Sequence, residues 1–321
     1  MSIGIQIIES YIPSFGYTKE EMIKKYSLSS DFLENKIGFT FWPRLKNGFP
    51  VSEMAVKATN KIITNHQKDF EKIEVLICVT QHPDYKLPTT ANIIQSKLKL
   101  NNNILCFDIN QGCSGYVIGL NTILSIMTQN NMSRGLLITT DAYSKSMNSF
   151  DKNTDILFGD GATATLLLKD AKPTPLAWEW GSNGVGYDSL IVKGGGSKYN
   201  KKVPEGDFAL SMNGRDIFNF AVRTVPQAIH NCLNKANISL KDVDFFILHQ
   251  ASKFVLEAIR KILGVTQERC PFLLNETSNT ISSTIPMAIK ELEKKNNLAN
   301  KKVIFAGFGV GLSWGVVLMQ F

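Results

Sequence analysis

FDINQGCSGYVIGLNTILSIM, residues 107–127, joins an apolar run ending at Ile109 to a glycine-bearing turn and then to a stretch that is apolar almost all round. The first run reads as a buried strand and the last as a helix; a helix without a polar face has to lie inside a protein. Cys113 stands at the opening of that helix. There the positive end of the peptide dipoles and several unpaired backbone N–H groups favour a thiolate, which places Cys113 as a nucleophile. The competing reading is a small apolar side chain packed beside Gly112 and Gly115.

Outward from this segment, apolar runs bounded by turn residues mark strands at 75–80 (VLICVT), 104–109 (ILCFDI), 136–140 (LLITT) and 162–168 (ATATLLL), with helix-like stretches between the first three. This is an α/β pattern. From residue 245 the order returns: FFILHQ at 245–250, a helix over 252–264, a strand at PFLLN 271–275, a helix over 282–295, then KVIFAG at 302–307 and SWGVVLMQ at 313–320. The two sets are spaced alike, which predicts two topologically similar halves, 1–170 and 171–321. The join, 171–210, holds the turn-rich GSNGVGYDSL and GGGSKYN. It reads either as a hairpin excursion over the mouth of a site or as a surface connection.

The chain has 321 residues, 44% of them hydrophobic, enough for two ordinary domains or one duplicated domain. No signal-peptide pattern opens it and no apolar run approaches a membrane span, so the expectation is a soluble cytoplasmic protein with no membrane insertion. A net charge of +7 suits an acidic partner. The charge is scattered, without a nucleic-acid signature, so no nucleic-acid partner is expected. The five cysteines form no C-x-x-C pair and suggest neither a disulfide framework nor a zinc site. Cys78 and Cys106 fall in strands, Cys232 in a helix and Cys270 at the start of the 271–275 run, all without a supporting partner.

His249 follows an apolar strand and precedes a helix, the edge at which parallel α/β sheets bind ligands. Gln81, after the first-half strand at 75–80, reads as its counterpart at the same edge. Asn279, in NETSNTISSTIPMAI, occupies in the second half the place of the Cys113 segment in the first. If the halves pack about a pseudo-twofold axis, Cys113 and Asn279 face one another; an isolated loop asparagine otherwise caps or turns the chain.

Taken together, the Cys113 segment, LFGDGATATLL (157–167), MNGRDIFNFAV (212–222), LHQAS (248–252), SNTISSTIP (278–286) and GFGVGLSWG (307–315) make the chain resemble the ketoacyl-acyl-carrier-protein synthase III family nearly end to end. The resemblance implies an α/β, thiolase-like five-layered αβαβα fold, a homodimer, and a catalytic set of Cys113, His249 and Asn279. It implies that Cys113 takes an acyl group from acyl-CoA or acyl-ACP while backbone N–H groups of Cys113 and of Gly309, Val310 and Gly311 hold the oxyanion. His249 and Asn279 would then stabilise the enolate formed by decarboxylation of malonyl-ACP, and no metal or redox cofactor is implied. Met212 and Phe218 fall among the implied substrate-binding residues.

Several positions depart from the family pattern. Where typical members grip the coenzyme A nucleotide with a tryptophan and two arginines, this chain has Phe32, Lys36 and Lys152; lysine lacks the planar fork of arginine. Ser252 stands in place of an asparagine that meets pantetheine, and Arg215 offers a phosphate contact where an uncharged residue is common. These changes point to charging from an acyl-carrier protein rather than from coenzyme A. Leu87 matches the position that caps the acyl tunnel across the dimer. Lys253, Arg260 and Lys261, on the helix after His249, form a patch for an acidic carrier. Two other readings remain: a non-condensing acyltransferase of the same fold acting on a sugar or amine, and a papain-like hydrolase, whose Cys, His and Asn share this chain order.

Overall fold

The apolar runs assemble into two sheets in the computed structural model, which describes residues 2–148, 151–198 and 204–321. The first sheet holds β1 (Ile3–Tyr11), β2 (Val75–Val79), β3 (Leu105–Ile109), β4 (Arg134–Asp141) and β5 (Gly161–Lys169), in the order β1-β5-β4-β2-β3. The second holds β6 (Thr174–Ser182), β7 (Phe245–Leu248), β8 (Lys302–Gly309) and β9 (Ser313–Gln320), in the order β7-β8-β9-β6. The pairing repeats: β2 with β4 and β7 with β8 are parallel, and the next two pairings in each sheet are antiparallel. Thus β2, β4, β5 and β1 correspond to β7, β8, β9 and β6.

β3 has no such counterpart. The run 271–275, read from sequence as a strand, forms no ladder. Pro271 has no N–H to give, the Leu273 N–H donates 2.8 Å to the Gln250 side-chain oxygen, and the Asn275 carbonyl accepts from Thr40 N–H at 2.7 Å. The run's backbone is satisfied by a side chain and a loop, so β7 stays at the sheet edge.

Helices fill the remaining layers. α1 (Val51–Phe70) and α2 (Thr90–Lys97) cover the outer face of the first sheet, and α4 (Gly214–Ala236) and α5 (Lys253–Leu263) cover that of the second. Between the sheets lie α3 (Gly115–Gln129) and α6 (Thr284–Lys295), giving the five-layered αβαβα thiolase-like fold. Tyr116, Leu120 and Ile123 of α3 are fully buried in a core that includes Ile77 and Leu137 of one sheet and Phe305 and Val317 of the other. The all-round apolarity of 116–127 therefore reflects contact with both sheets at once.

The join contains β6 and a short hairpin pairing Leu190–Val192 with Leu210–Met212. The 199–203 stretch between them, with the end of GGGSKYN, lies outside the described residues. No helix among the described residues is long and apolar enough to cross a membrane.

Candidate active site

Cys113 sits in a turn one step before α3 rather than on the helix itself. The turn is closed by Gly115 N–H donating to Gly112 O at 2.8 Å, and α3 begins at Gly115. The end of β8 presses against it. A Cβ at Gly307 would stand 2.6 Å from the Cys113 carbonyl oxygen, and one at Gly309 would stand 3.0 Å from its sulfur. Only glycine lets the strand pass this close. Gly309, Val310 and Gly311 then turn into β9, with Ser313 Oγ donating 2.8 Å to the Val310 carbonyl.

The electrostatics of the thiol correct the sequence expectation of a favoured thiolate. Burial pushes the Cys113 thiol up to about 12, with the Asp141 charge adding to the rise and the backbone amides of Cys113 and Val310 opposing it. Helix-start donors are present, yet removal from water outweighs them. Cys113 is therefore a protonated thiol at neutral pH.

His249 is buried, and burial lowers it to about 3, so its ring is neutral. Its N–H donates 2.8 Å to Ala306 O at the end of the β7–β8 ladder. Its Nδ1 lies 2.6 Å from Thr284 Oγ1, at the start of α6, and the same hydroxyl lies 3.1 Å from the Ile281 carbonyl. One rotamer of that hydroxyl donates to Nδ1 and suits a ring that presents Nε2–H to a ligand. The other donates to Ile281 and suits a ring with a bare Nε2 able to accept a proton. Gln81 follows β2 by two residues and His249 follows β7 by one, so each stands beyond the carboxyl end of its strand.

Asn279 is held from both sides. Its N–H donates 3.0 Å to Leu157 O and its carbonyl accepts from Gly159 N–H at 2.9 Å. Its Oδ1 accepts from the Ile281 N–H at 3.0 Å, which turns the amide NH₂ the other way, 3.5 Å from the Ala251 carbonyl. Ser278 and Ile281 adopt left-handed φ angles of 52° and 55°. For β-branched Ile281 this is strained backbone of the kind that surrounding structure has to enforce, at a cost of about 1–3 kcal/mol.

Cys113, His249 and Asn279 line one cavity of about 100 Å³. Met212, Phe218 and Ser252 line it too. Ser252 is also the N-cap of α5, accepting from Val255 N–H. Lys36 stands 4.5 Å over the Phe254 ring, which stacks on Phe218 at 5.1 Å, so Lys36 reaches the mouth through two aromatic rings. Phe32 is half-buried against the cluster of Leu33, Ile37 and Trp42. Arg215 is exposed beside Gly214 on the first turn of α4, and Lys152 is exposed at the start of a short helix, Lys152–Asp155, that touches the 210–212 strand. Leu87 is not brought to this cavity; it is 86% exposed. Lys253 donates to the Glu34 carbonyl at 3.2 Å, whereas Lys261 is exposed and Arg260 half-buried in the last turn of α5.

Two neighbours of the site escaped sequence reading. Phe308 lines the cavity and meets the His249 ring edge-on at 5.6 Å. Its signal was an aromatic between the two glycines that pass Cys113. Thr284, the partner of His249 Nδ1, carried none: it is one of several hydroxyl residues in SNTISSTIP.

Two corresponding α/β sheets around a buried cysteine, a neutral histidine and a pinned amide define a thiolase-fold condensing enzyme. Residues 107–184 match the family profile for 3-oxoacyl-[acyl-carrier-protein] synthase III, and residues 233–321 match that for its C-terminal part. A beta-ketoacyl-[acyl-carrier-protein] synthase III of Acholeplasma laidlawii is 32% identical over 99% of both chains. A crystal structure of a 3-oxoacyl-(acyl-carrier-protein) synthase III superposes with a TM-score of 0.94 at 30% identity, covering 100% of both chains. The 3-oxoacyl-(acyl-carrier protein) synthase of Burkholderia xenovorans LB400 gives 0.90 at 29%, covering 100% of this chain and 94% of that one. The chain belongs to the 3-oxoacyl-[acyl-carrier-protein] synthase III family. Nothing in fold or family favours the papain-like hydrolase or the non-condensing acyltransferase.

Proposed function

We propose that the protein performs a two-stage decarboxylative condensation, with Cys113 as nucleophile and His249 and Asn279 as the enolate site. The supporting observation is that all three line one cavity in which the histidine is neutral and the Asn279 NH₂, whose one contact among the described residues is a long 3.5 Å bond to the Ala251 carbonyl, keeps a hydrogen for a ligand. In the first stage the Cys113 sulfur attacks an acyl thioester, His249 Nε2 takes the thiol proton, and the donor thiol leaves with it. The amides of Cys113 and of the 309–311 turn are the oxyanion donors. In the second stage a malonyl thioester loses carbon dioxide. Nε2–H and Asn279 Nδ2–H stabilise the enolate oxygen, and the enolate carbon displaces Cys113 from its acyl group to give a 3-oxoacyl thioester. The test is to supply acyl donor and malonyl-ACP to the purified protein and follow the acyl adduct on Cys113 by intact mass and the 3-oxoacyl product by chromatography. An adduct that malonyl-ACP does not discharge into a 3-oxoacyl product would overturn the reading.

The acyl donor in this reading is carrier-bound. Phe32 is committed to a core cluster and lysines replace the phosphate-gripping arginines, so little remains to hold a nucleotide. The carrier docks on α5 at Arg260 and Lys261, since Lys253 is engaged with the Glu34 carbonyl. Reversing both charges, Arg260→Glu with Lys261→Glu, should raise the apparent KM for carrier-bound substrate about tenfold and leave that for a pantetheine substrate unchanged. Equal values for both substrates would remove the patch. The working unit in this reading is a cytoplasmic homodimer, in which exposed Leu87 of one protomer caps the acyl tunnel of its partner.

A further inference from the structure

We propose that the acyl group loaded on Cys113 carries a hydroxyl near its thioester end, selected by a polar wall of Gln81, His82 and Tyr143; the inference rests on the reading of Cys113 as the acylated nucleophile. A second cavity, about 380 Å³, shares Leu190 with the first. It meets Cys113 at two points. Val310, on its lining, sends its backbone amide to the Cys113 thiol, and Gln81 Oε1 occupies the space that Gly112 leaves open, 2.5 Å from where a Cβ would stand. Tyr143 packs in the same buried cluster as Cys113. Val310 Cγ1 stands equally close to that point beside Gly112, so Gln81 and Val310 meet across Gly112, and an acyl chain enters the second cavity past Leu190, which lines both.

The lining is mixed in chemistry. Leu190, Ile191, Leu210 and Val310 supply the apolar part of the lining, and Gln81, His82, Asn110, Tyr143 and Ser146 the polar part. Within the polar wall the Tyr143 hydroxyl donates 2.6 Å to Gln81 Oε1, and Gln81 Nε2 donates 3.2 Å to Asn110 Oδ1. His82 Nε2 lies 2.9 Å from Ser146 Oγ, and the His82 ring meets Tyr143 edge-on at 4.6 Å. His82 Nδ1 is buried without a hydrogen-bond partner, and its nearest charge is Asp141 Oδ1 at 3.7 Å. A plain alkyl chain would desolvate these groups and give them nothing in return. Because Tyr143 already donates to Gln81, its oxygen is left as an acceptor, so a substrate hydroxyl close to the thioester finds an acceptor at Tyr143 and its methylenes find the apolar wall. A wall built around a hydroxyl discriminates against the analogue lacking it far more steeply than one built around a methylene.

The hydroxyl takes no part in the chemistry. Acylation forms the bond from Cys113 Sγ to the acyl carbon and breaks the acyl carbon–sulfur bond of the donor, and the thiol proton leaves on the donor thiol. The test compares 3-hydroxybutyryl-pantetheine with butyryl-pantetheine, reading the rate of the Cys113 adduct by intact mass and peptide mapping. The native protein should favour the hydroxyacyl donor by about tenfold or more. Tyr143→Phe, and separately Gln81→Leu, should bring the two rates within about twofold of each other while butyryl transfer persists. Equal or faster butyryl transfer in the native protein overturns the proposal, as does an undiminished preference in both variants. Absence of a Cys113 adduct with either donor would instead overturn the assignment of Cys113 as nucleophile.

Discussion

Replacing Cys113 by alanine should abolish acyl transfer and condensation, a fall of about 10⁴-fold or more, while slow decarboxylation of a malonyl thioester continues. No other thiol can stand in. Cys78, Cys232 and Cys270 are buried and Cys106 is half-buried, and burial raises every one of their pKa values. Decarboxylation asks only for donors to the enolate oxygen; in the proposed reading these are His249 and Asn279, whose amide orientation is fixed by the Ile281 N–H and not by Cys113. Asn279→Ala in the Cys113→Ala background should therefore cost the residual decarboxylation about 10²–10³-fold. His249 titrates near 3, so the residual rate should also be flat from pH 5 to pH 8, with no step near the ordinary histidine value of about 6.5. Release of labelled carbon dioxide from malonyl-pantetheine measures both. A folded Cys113→Ala protein that has lost decarboxylation as well as transfer would contradict this division of labour.

Much of this arrangement was legible in the chain because it rests on side-chain pattern. A segment apolar on every face has to sit between two sheets, and 116–127 does. A polar residue after an apolar strand has to appear at the carboxyl edge, and His249 does. What the pattern could not give are features decided by backbone partners or by distant neighbours. PFLLN has the composition of a strand, but its hydrogen bonds go to Gln250 and Thr40, 23 and 235 residues away. The left-handed turn at Ile281 that aims Asn279 runs against the preference of a β-branched residue, so sequence propensity points away from it. The thiol shows the same limit most sharply. Of the donors that favour a thiolate, the Cys113 amide is local and readable, whereas the Val310 amide and the burial that outweighs both come from β8 and the turn after it, almost 200 residues downstream.

That burial gives the second large effect. With the Cys113 thiol pushed up to about 12, its thiolate fraction at pH 7 is on the order of 10⁻⁵, some three decades below that of a free cysteine with a pKa near 8.5. Alkylation of the substrate-free protein by iodoacetamide should be correspondingly slow. Slowness alone would also follow from poor access, so the shape of the profile is the sharper measurement. Access multiplies the rate equally at every pH, while a high thiol pKa makes it climb tenfold per unit from pH 6 to pH 10 without levelling. A proton-sharing pair with His249 would instead add a plateau between the two titrations, and a His249 that titrates near 3 leaves no imidazolium in this range to create one. A plateau below pH 8 in the mass-resolved Cys113 adduct would show a pre-formed thiolate and overturn the assignment. With a single rising limb, the proposed reading has the thiol lose its proton only as the acyl bond forms, with His249 passing that proton to the departing thiol. Nucleophile activation then belongs to the bound complex, and the resting enzyme is shielded from adventitious electrophiles by the same burial that brings Cys113 to its partners.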